Sequence, residues 1–558
     1  MLKTKIISSL SRVFIDSKLD DFKTLERISA LKGEKISFQL IHSRIMEPGE
    51  DIYAYRELFT PKFSGELAKY VTVREVKNVG VELPIIVGDS DEYYERTEPG
   101  LYPDVLTPLH YGGKTIAKTA FPTALWIDVT IPKDSAEVGE CELKIEMFNE
   151  SGVAKSEDIL VIDVINATLP EQELILTQWF HCDCLASYYD VDVWSEKHWK
   201  IIENFARVAH KNGINLLLTP TFTPPLDTMV GGERLTTQLV GVEVNGGKYS
   251  FNFDLVDRWV DMCDRIGIKY FEIAHLFTQW GAKHAPKVMA TVDGEYKKIF
   301  GWETDATSDE YVTFLRTFIK DFLAHMKKNG NDKRCFFHVS DEPQLEHLEF
   351  YKKAKNSIED LLDGYVIMDA LSDYDFWKMG IVNVPIPCND HIKPFIENKV
   401  PNLWTYYCCG QRVNVSNRLL SMPSWRNRSI GMQMYKYDIV GFLQWGYNFY
   451  NNQFSVDEVM PYTDASGEHW VPAGDTYSVY PGPRGTALES IRIVVFHDAL
   501  QDMQAMKLCE SYYSKEEIVA KIEEVLGEAL AFDVCAKSED TMLKIRETVN
   551  QMIKEKTK

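Results

Sequence analysis

Residues Arg334 to Gln344 read RCFFHVSDEPQ, and this stretch decides the fold. Its first half has the composition of a buried strand, aromatic and β-branched with charge on either side. Alternation puts Phe337 and Val339 on one face and His338 and Ser340 on the other. Polar side chains on one face of an otherwise buried strand point to the lumen of a barrel rather than to solvent. The strand then delivers two adjacent carboxylates, Asp341 and Glu342, ahead of Pro343 and the helically spaced run LEHLEFYKKAKNSIEDLL. Strand C-termini that lead into helices are where parallel α/β enzymes keep their chemistry. The competing structural reading makes Asp341 a helix cap, sets Glu342 at the positive helix end and puts Pro343 in the first turn.

The same strand-then-helix pattern recurs on both sides of this stretch. LILTQWFHCD, INLLLTPTFTPP and KYFEIAHLFTQW precede it, and YVIMDAL, VNVPIPCND, LWTYYCC and IVGFLQWGYN follow. Between them lie capped helical runs such as SEKHWKIIENFARVAHKNG, which starts at a Ser and stops at Gly213. About eight β/α units in one block is the count of a TIM barrel. TALESIRIVVFHDALQDMQAMKLCESYY then reads as an amphipathic helix that closes the ring. Upstream, KGEKISFQLIH, KYVTVREVKNV, TALWIDVTIP, GECELKIEMFN and DILVIDVIN are short alternating runs broken by turn residues, the pattern of a β-sandwich. The expected fold is therefore multidomain α/β, an N-terminal antiparallel β-sandwich followed by a (β/α)8 TIM barrel with C-terminal helices. The boundaries fall at 1–170 for the accessory sandwich and 171–512 for the catalytic barrel. Residues 513–558 form Glu- and Lys-rich helices packed on the barrel, their charges read as solvated faces.

Composition narrows the partners. A formal net charge of −22 argues against nucleic acid, whose phosphates need clustered Lys and Arg. Aromatics make up 12%, which suits stacking on sugar C–H faces but also suits a large core. No run reaches the length of a membrane span, and the N-terminus lacks a signal-peptide core before Arg12 and Asp16, so a cytoplasmic protein is expected. Cys182 and Cys184, and Cys408 with Cys409, lie in strand-like apolar runs without the C-x-x-C spacing of zinc sites. Buried free thiols are the simpler reading. Oligomeric state leaves no mark on the sequence.

If the barrel is right, its strand ends define one mouth. Those ends offer His181 and Asp183, His275 and Gln279, Asp341 and Glu342, Trp404 and Tyr406, then Trp445, Tyr447 and Asn448, while long loops add Trp302, Trp470 and Arg484. Acids, aromatics and amides without a Gly-rich phosphate cradle suit a glycoside better than a phosphate. A metal held by His181, Asp183 and His275 is not required by any spacing, so no metal and no cofactor are expected.

Acetal chemistry can be tested against that set. A retaining glycosidase with a protein nucleophile needs two carboxylates roughly 5 Å apart, on opposite sides of the scissile bond. Strand seven ends in WTYYCCG and offers no acid, and Asp341 and Glu342 are neighbours that cannot flank a sugar from both faces. A 2-acetamido sugar removes the difficulty by supplying its own amide oxygen as nucleophile. The protein then needs one acid/base, assigned to Glu342 on the lumen phase of His338 and Ser340, and one carboxylate for the amide N–H, assigned to Asp341.

The Asp341–Glu342 pair, QWFHCDCLASYY (178–189), LLTPTFTPPLDT (217–228), FGWET (300–304) and YPGPRG with the following SIR and HDALQDMQAM together resemble glycoside hydrolase family 123. The likeness covers the barrel and closing helix, and the sandwich is similar to that family's as well. It departs at VVFHDALQD, where the family pattern has an Arg before a Gly-Leu-Glu-Asp-like segment. The resemblance implies a β-N-acetylgalactosaminidase acting on glycan or glycolipid carbohydrate by the substrate-assisted route, with Asp341 and Glu342 as the family's adjacent acids. Similar acetamido-sugar hydrolases hold the amide oxygen with a Tyr and enclose its methyl with Trp rings. Tyr447 or Tyr406 is then that Tyr, and Trp404 and Trp445 are the walls. His275 and Asp183 would hold sugar hydroxyls, and Arg484 would clamp a hydroxyl or cap the closing helix. A β-N-acetylglucosaminidase of the same mechanism, or a barrel that binds glycans without cleaving them, remains open.

Overall fold

Alternating burial in the N-terminal segment produces two five-stranded sheets. The computed structural model describes residues 1–46, 56–110, 112–119, 121–279, 281–343 and 345–557. One sheet runs in the order Leu2–Ser8, Lys35–Arg44, Thr123–Thr130, Val71–Val81, Gly100–Pro108 and is antiparallel throughout. The other runs Arg27–Lys32, Ala154–Thr168, Gly139–Asn149, Arg56–Ser64, Thr115–Lys118. Its first two strands pair in parallel, so the expected all-antiparallel arrangement needs that one correction. Cys141, Leu143, Ile145 and Met147 alternate inward from the second sheet and meet Ile36, Phe38, Leu40 and Ile127 of the first in one apolar cluster.

Downstream, every run read as a strand contains one. Leu216–Thr219, Tyr270–Ile273, Cys335–Phe337, Val366–Ala370 and Val384–Ile386 form a five-stranded parallel sheet in chain order. Trp404–Tyr406, Gly441–Gln444 and Ile175–Gln178 form a three-stranded parallel sheet in which the last strand of the series pairs with the first. Backbone bonds join the two groups at both seams: Asn215 N–H donates to Leu176 O at 3.1 Å, and Asn389 N–H to Tyr406 O at 2.9 Å. Being parallel, all of these strands present their C-termini on one side.

Helices between the strands follow their sequence punctuation. Ser195 caps Glu196–Lys211 and Ser308 caps Asp309–Lys328, each side chain accepting from a backbone N–H of the first turn. Asp254–Ile266 ends at Gly267, whose φ of 103° is open to glycine and closed to most other residues. The loops after strands two and three carry further structure that the sequence reading left as a long excursion. Gly241–Asn245 and Lys248–Asn252 join Val288–Val292 and Glu295–Phe300 in a four-stranded sheet. Trp280, in the strand-three run, lies outside the described residues.

The closing helix, Ile491–Cys509, is buried on nearly every face rather than amphipathic. It crosses Ser424–Lys436 so closely that a Cβ on Gly431 would stand 2.2 Å from the Ala499 carbonyl oxygen. On its other side Gln501 bonds both the N–H and the C=O of Lys35 at 2.8 Å. Arg546 of the last helix, Glu539–Lys556, donates to Gln501 O at 3.0 Å. That helix also reaches the N-terminal sheets, with Asn550 donating to Ser29 Oγ at 2.8 Å, so the C-terminal helices pack on more than the parallel strands. Buried ion pairs, Arg74 with Glu489 and Arg492 with Asp104, tie the same surfaces together. Among the described residues no helix is long and apolar enough to cross a membrane.

Candidate active site

Strand four ends at Phe337, too early for its alternation to carry through to Glu342. The chain bends instead, and Glu342 takes a left-handed φ of 42°, a conformation that costs a non-glycine residue energy. A 3-10 turn at Leu345–His347 leads into the next α-helix, which starts at Leu348, so Asp341 is not the residue that caps it. Gln344 lies outside the described residues.

Buried polar groups fix this bend from below. Asp369, on strand five, accepts from the N–H of Val339 at 3.0 Å and of Ser340 at 3.3 Å, and from Tyr351 Oη. His338 sits between Asp369 at 3.3 Å and Glu272 at 2.7 Å. Burial disfavours its charge, but Asp369 and Glu272 outweigh that and push its pKa to about 9. Burial raises Asp369 even so, against the pull of His338. His275 stacks on His338 with ring centroids 4.3 Å apart, and burial followed by the His338 charge holds it neutral.

Above the bend lies a cleft of about 690 Å³, counting the space at its mouth. Asp341, Glu342, Asp227 and Gln279 supply its polar lining, while Trp179, Leu226, Leu443, Trp445, Phe449 and Trp470 supply an apolar wall. A second, wider hollow of about 1010 Å³ adjoins it, lined by Glu342, Pro343, Leu371, Ser372, Asp373, His391 and Tyr406. Glu342 and Tyr406 line both spaces; Asp341 lines only the inner one. Tyr406 donates its hydroxyl hydrogen to Glu342 Oε1 at 2.7 Å. Burial, and after it the neighbouring Glu342 charge, raises the Asp341 carboxyl well above the usual range.

Residues 179–509, more than half of the sequence, match the family described as "Glycoside hydrolase 123, catalytic domain". The chain belongs to glycoside hydrolase family 123. It is a glycosidase by that membership. Among solved structures it is similar to a family 123 glycoside hydrolase from Clostridium perfringens, with 14% identity, a TM-score of 0.72, and coverage of 100% of this chain and 97% of that one. Identity that low speaks to the shared fold alone. A β-glucuronidase from Parabacteroides merdae (10% identity, TM-score 0.31, 90% of this chain and 51% of that one) and an endo-β-1,4-mannanase from Thermotoga petrophila (10%, 0.33, 60% and 77%) are too distant to carry weight. No curated protein matches the sequence.

In this family 123 enzyme the residues anticipated from sequence divide into those that reach the cleft and those that support it. Asp341, Glu342, Tyr406, Trp445, His181, Gln279 and Trp470 line it. His181 Nδ1 accepts from Arg234 at 3.1 Å and Nε2–H donates to Trp445 O at 3.0 Å; burial, then Arg234, lowers its pKa to about 3. Asp183 is absent from the lining because both its oxygens are held by Arg234, at 2.7 and 2.8 Å. Asn448 clamps both the N–H and the C=O of His181, at 2.9 and 3.0 Å. Tyr447 turns away, donating to Phe205 O at 2.8 Å. Trp404 packs on Phe336 and over Gly441, where any Cβ would meet its ring. Trp302 donates to Gly232 O at 2.9 Å beside a separate small hollow, and Arg484 is exposed in the turn before the closing helix.

The metal trio weighed from sequence does not converge, since His181 and Asp183 share Arg234 while His275 lies against His338. Among the described residues Cys388, Asp390 and His391 are the group with metal-compatible spacing, and they are already hydrogen-bonded to one another, His391 Nδ1 standing 2.7 Å from Asp390. All ten cysteines are free; Cys182 and Cys184 are buried in a helix rather than a strand, and Cys408 and Cys409 are only half-buried. The sequence reading missed Arg234, Asp227 and Asp475. Asp475 accepts from Trp445 Nε1 and Cys409 N–H, each at 2.9 Å, and so positions two lining residues.

Proposed function

We propose that this glycosidase is an exo-acting β-N-acetylgalactosaminidase built as a β-sandwich followed by a (β/α)8 barrel, and that it works with retention through the substrate's own acetamido group. The observation that carries the reading is the division between the two adjacent acids: Glu342 borders both hollows and Asp341 only the inner one. A terminal sugar held in the inner cleft would have its glycosidic oxygen at the border and its leaving group in the wider hollow. Glu342 stands where a proton must reach that oxygen, and Asp341 where an acetamido N–H would lie.

The steps follow from that placement. The amide oxygen attacks the anomeric carbon as the C1–O bond breaks, and Glu342 gives its proton to the departing oxygen. Asp341 accepts the amide N–H, whose partial charge grows as the oxazolinium ion forms. Water then adds to C1 while Glu342 takes its proton, and the amide is regenerated. Two inversions at C1 leave the β configuration unchanged. Trp179, Leu443 and Trp445 give the acetyl methyl group an apolar surface. The Clostridium perfringens structure is described in terms of glycolipid glycan hydrolysis, which supports a glycolipid or related glycan as substrate. Inhibition by N-acetylgalactosamine thiazoline, with faster cleavage of the p-nitrophenyl galactosaminide than of the glucosaminide, is the expected result. Thiazoline insensitivity in an active enzyme would refute the mechanism.

A further inference from the structure

Asp227 and Gln279 come from different loops, after strands two and three, and neither belongs to the acid pair or to the apolar wall. Both line the inner cleft. Asp227 holds a left-handed φ of 41° and is braced from three directions. Its N–H donates to Gln279 Oε1 at 2.5 Å, its Oδ2 accepts from Phe454 N–H at 3.2 Å, and its carbonyl accepts from Ser455 Oγ at 2.7 Å.

That bracing settles the orientation of the Gln279 amide. A backbone N–H can only donate, so the atom facing Asp227 N is the oxygen, and the NH₂ group is turned the other way. Gln279 is 6% exposed, and its Nε2 makes no hydrogen bond among the described residues. A buried amide donor without a partner is costly unless a ligand completes it. Beside it, Asp227 Oδ1 takes no hydrogen bond from the described residues, whereas Oδ2 is occupied. An unspent donor and an unspent acceptor on two residues joined by the Asp227 N–H to Gln279 Oε1 bond match a group that both donates and accepts. A hydroxyl is such a group, whereas an amide methyl or an aglycone ring face is not.

We infer that Asp227 and Gln279 form a hydroxyl-reading pair that binds one ring hydroxyl of the sugar in the inner cleft and sets specificity there. The inference rests on the substrate reading above. Burial pushes Asp227 up to about 7, and with Oδ2 held by Phe454 N–H the free Oδ1 is the acceptor of the ionised carboxylate. The third carboxyl of the cleft is thereby a recognition group, separate from the acid/base and the acetamido carboxylate.

The test compares kcat/KM for the p-nitrophenyl N-acetyl-β-hexosaminide with its 3-, 4- and 6-deoxy analogues, in the wild-type enzyme, in Gln279→Glu and in Asp227→Asn. Gln279→Glu keeps the acceptor for Asp227 N–H and removes the donor. In the wild type, loss of one particular hydroxyl should cost roughly ten- to hundred-fold. Each variant should lose a similar factor on the parent glycoside but little more on that one analogue, with the other two penalties unchanged. A purely structural role would scale all four substrates together. Variants that turn over the parent but keep every wild-type penalty would overturn the pairing and leave the glycosidase reading standing. A wild-type enzyme that neither binds nor cleaves any parent N-acetylhexosaminide would overturn both. If Gln279→Glu fails to fold, Asp227→Asn carries the same comparison.

Discussion

The Tyr406 hydroxyl donates to Glu342 Oε1 across 2.7 Å, joining the end of strand seven to the bend after strand four. Strand seven has no carboxylate to act as nucleophile; it gives the exposed acid a hydrogen-bond donor instead. Glu342→Gln removes the proton donor at the border of the two hollows and should lower kcat/KM on an unactivated glycoside by ~10²–10⁴. Tyr406→Phe removes one bond to that acid and should cost roughly ten-fold or somewhat more. Steady-state rates on an alkyl glycoside measure both.

Asp341 presents the opposite balance between activity and stability. Its proton is held in the fold well above the usual carboxylate range, by burial and then by Glu342. A group with a raised folded pKa favours the fold below its unfolded value and disfavours it as pH rises toward the folded one. Asp341→Asn removes that penalty, so the variant should melt at a higher temperature than wild type at pH 7 while losing ~10²-fold or more in kcat/KM. In the wild type the same titration should appear as an acid limb in the kcat/KM profile, displaced above the ordinary carboxylate range because the ionised carboxylate is the form that accepts the amide N–H, and it should vanish in the variant. Calorimetry and a pH–rate series check the two halves independently.

His338 gives a stability signature of its own. Its pKa stands at about 9 against an ordinary value of 6.5, so its contribution is complete below 6.5 and is lost as pH climbs through 9. The melting temperature should fall across that window, and His338→Gln should flatten the fall while lowering stability at pH 6. Replacing its stacking partner, His275→Phe, should leave the slope in place.

Most of the fold was legible because each strand is a short apolar run with a turn on either side, and short runs of that kind have little else to become. Depth and phase were not legible. Trp404 and Tyr406 are two residues apart on one face, yet Tyr406 reaches the cleft and Trp404 packs lower down against Phe336. Tyr447 follows Trp445 by the same interval, and the bends that follow the strand's end at Gln444 send the two apart. Glu342 was placed by an alternation that ends at Phe337, and a left-handed residue carries it to the cleft instead. Arg234, Asp227 and Asp475 sit in long loops whose partners are distant in the chain, so no local pattern marked them.

Arg74 offers a test of how the N-terminal sheets are held to the parallel strands. It pairs with Glu489 and Asp128 in a buried site, and Lys211 adds a bond to Glu489 at 2.8 Å. Burial opposes ionisation of Glu489, but Arg74 and Lys211 hold its carboxyl well below the usual range. That contribution is present above the ordinary value of 4.5 and is lost as pH falls below it. Arg74→Met should destabilise the protein by about 3 kcal/mol at pH 7, because it leaves buried carboxylates short of a partner. The deficit should shrink toward pH 3, as read by urea unfolding at both pH values.

An attacking amide is weakened by every electron-withdrawing atom on its acyl group, whereas a carboxylate nucleophile is indifferent to them. The most direct measurement is therefore kcat/KM for aryl N-acetyl-β-galactosaminides whose acetyl methyl carries zero, one, two or three fluorines. A sugar that closes on its own anomeric carbon should react more slowly at each step, by orders of magnitude across the series. A flat series in an enzyme that still cleaves the parent would contradict the account, because the nucleophile would then have to come from the protein or from water.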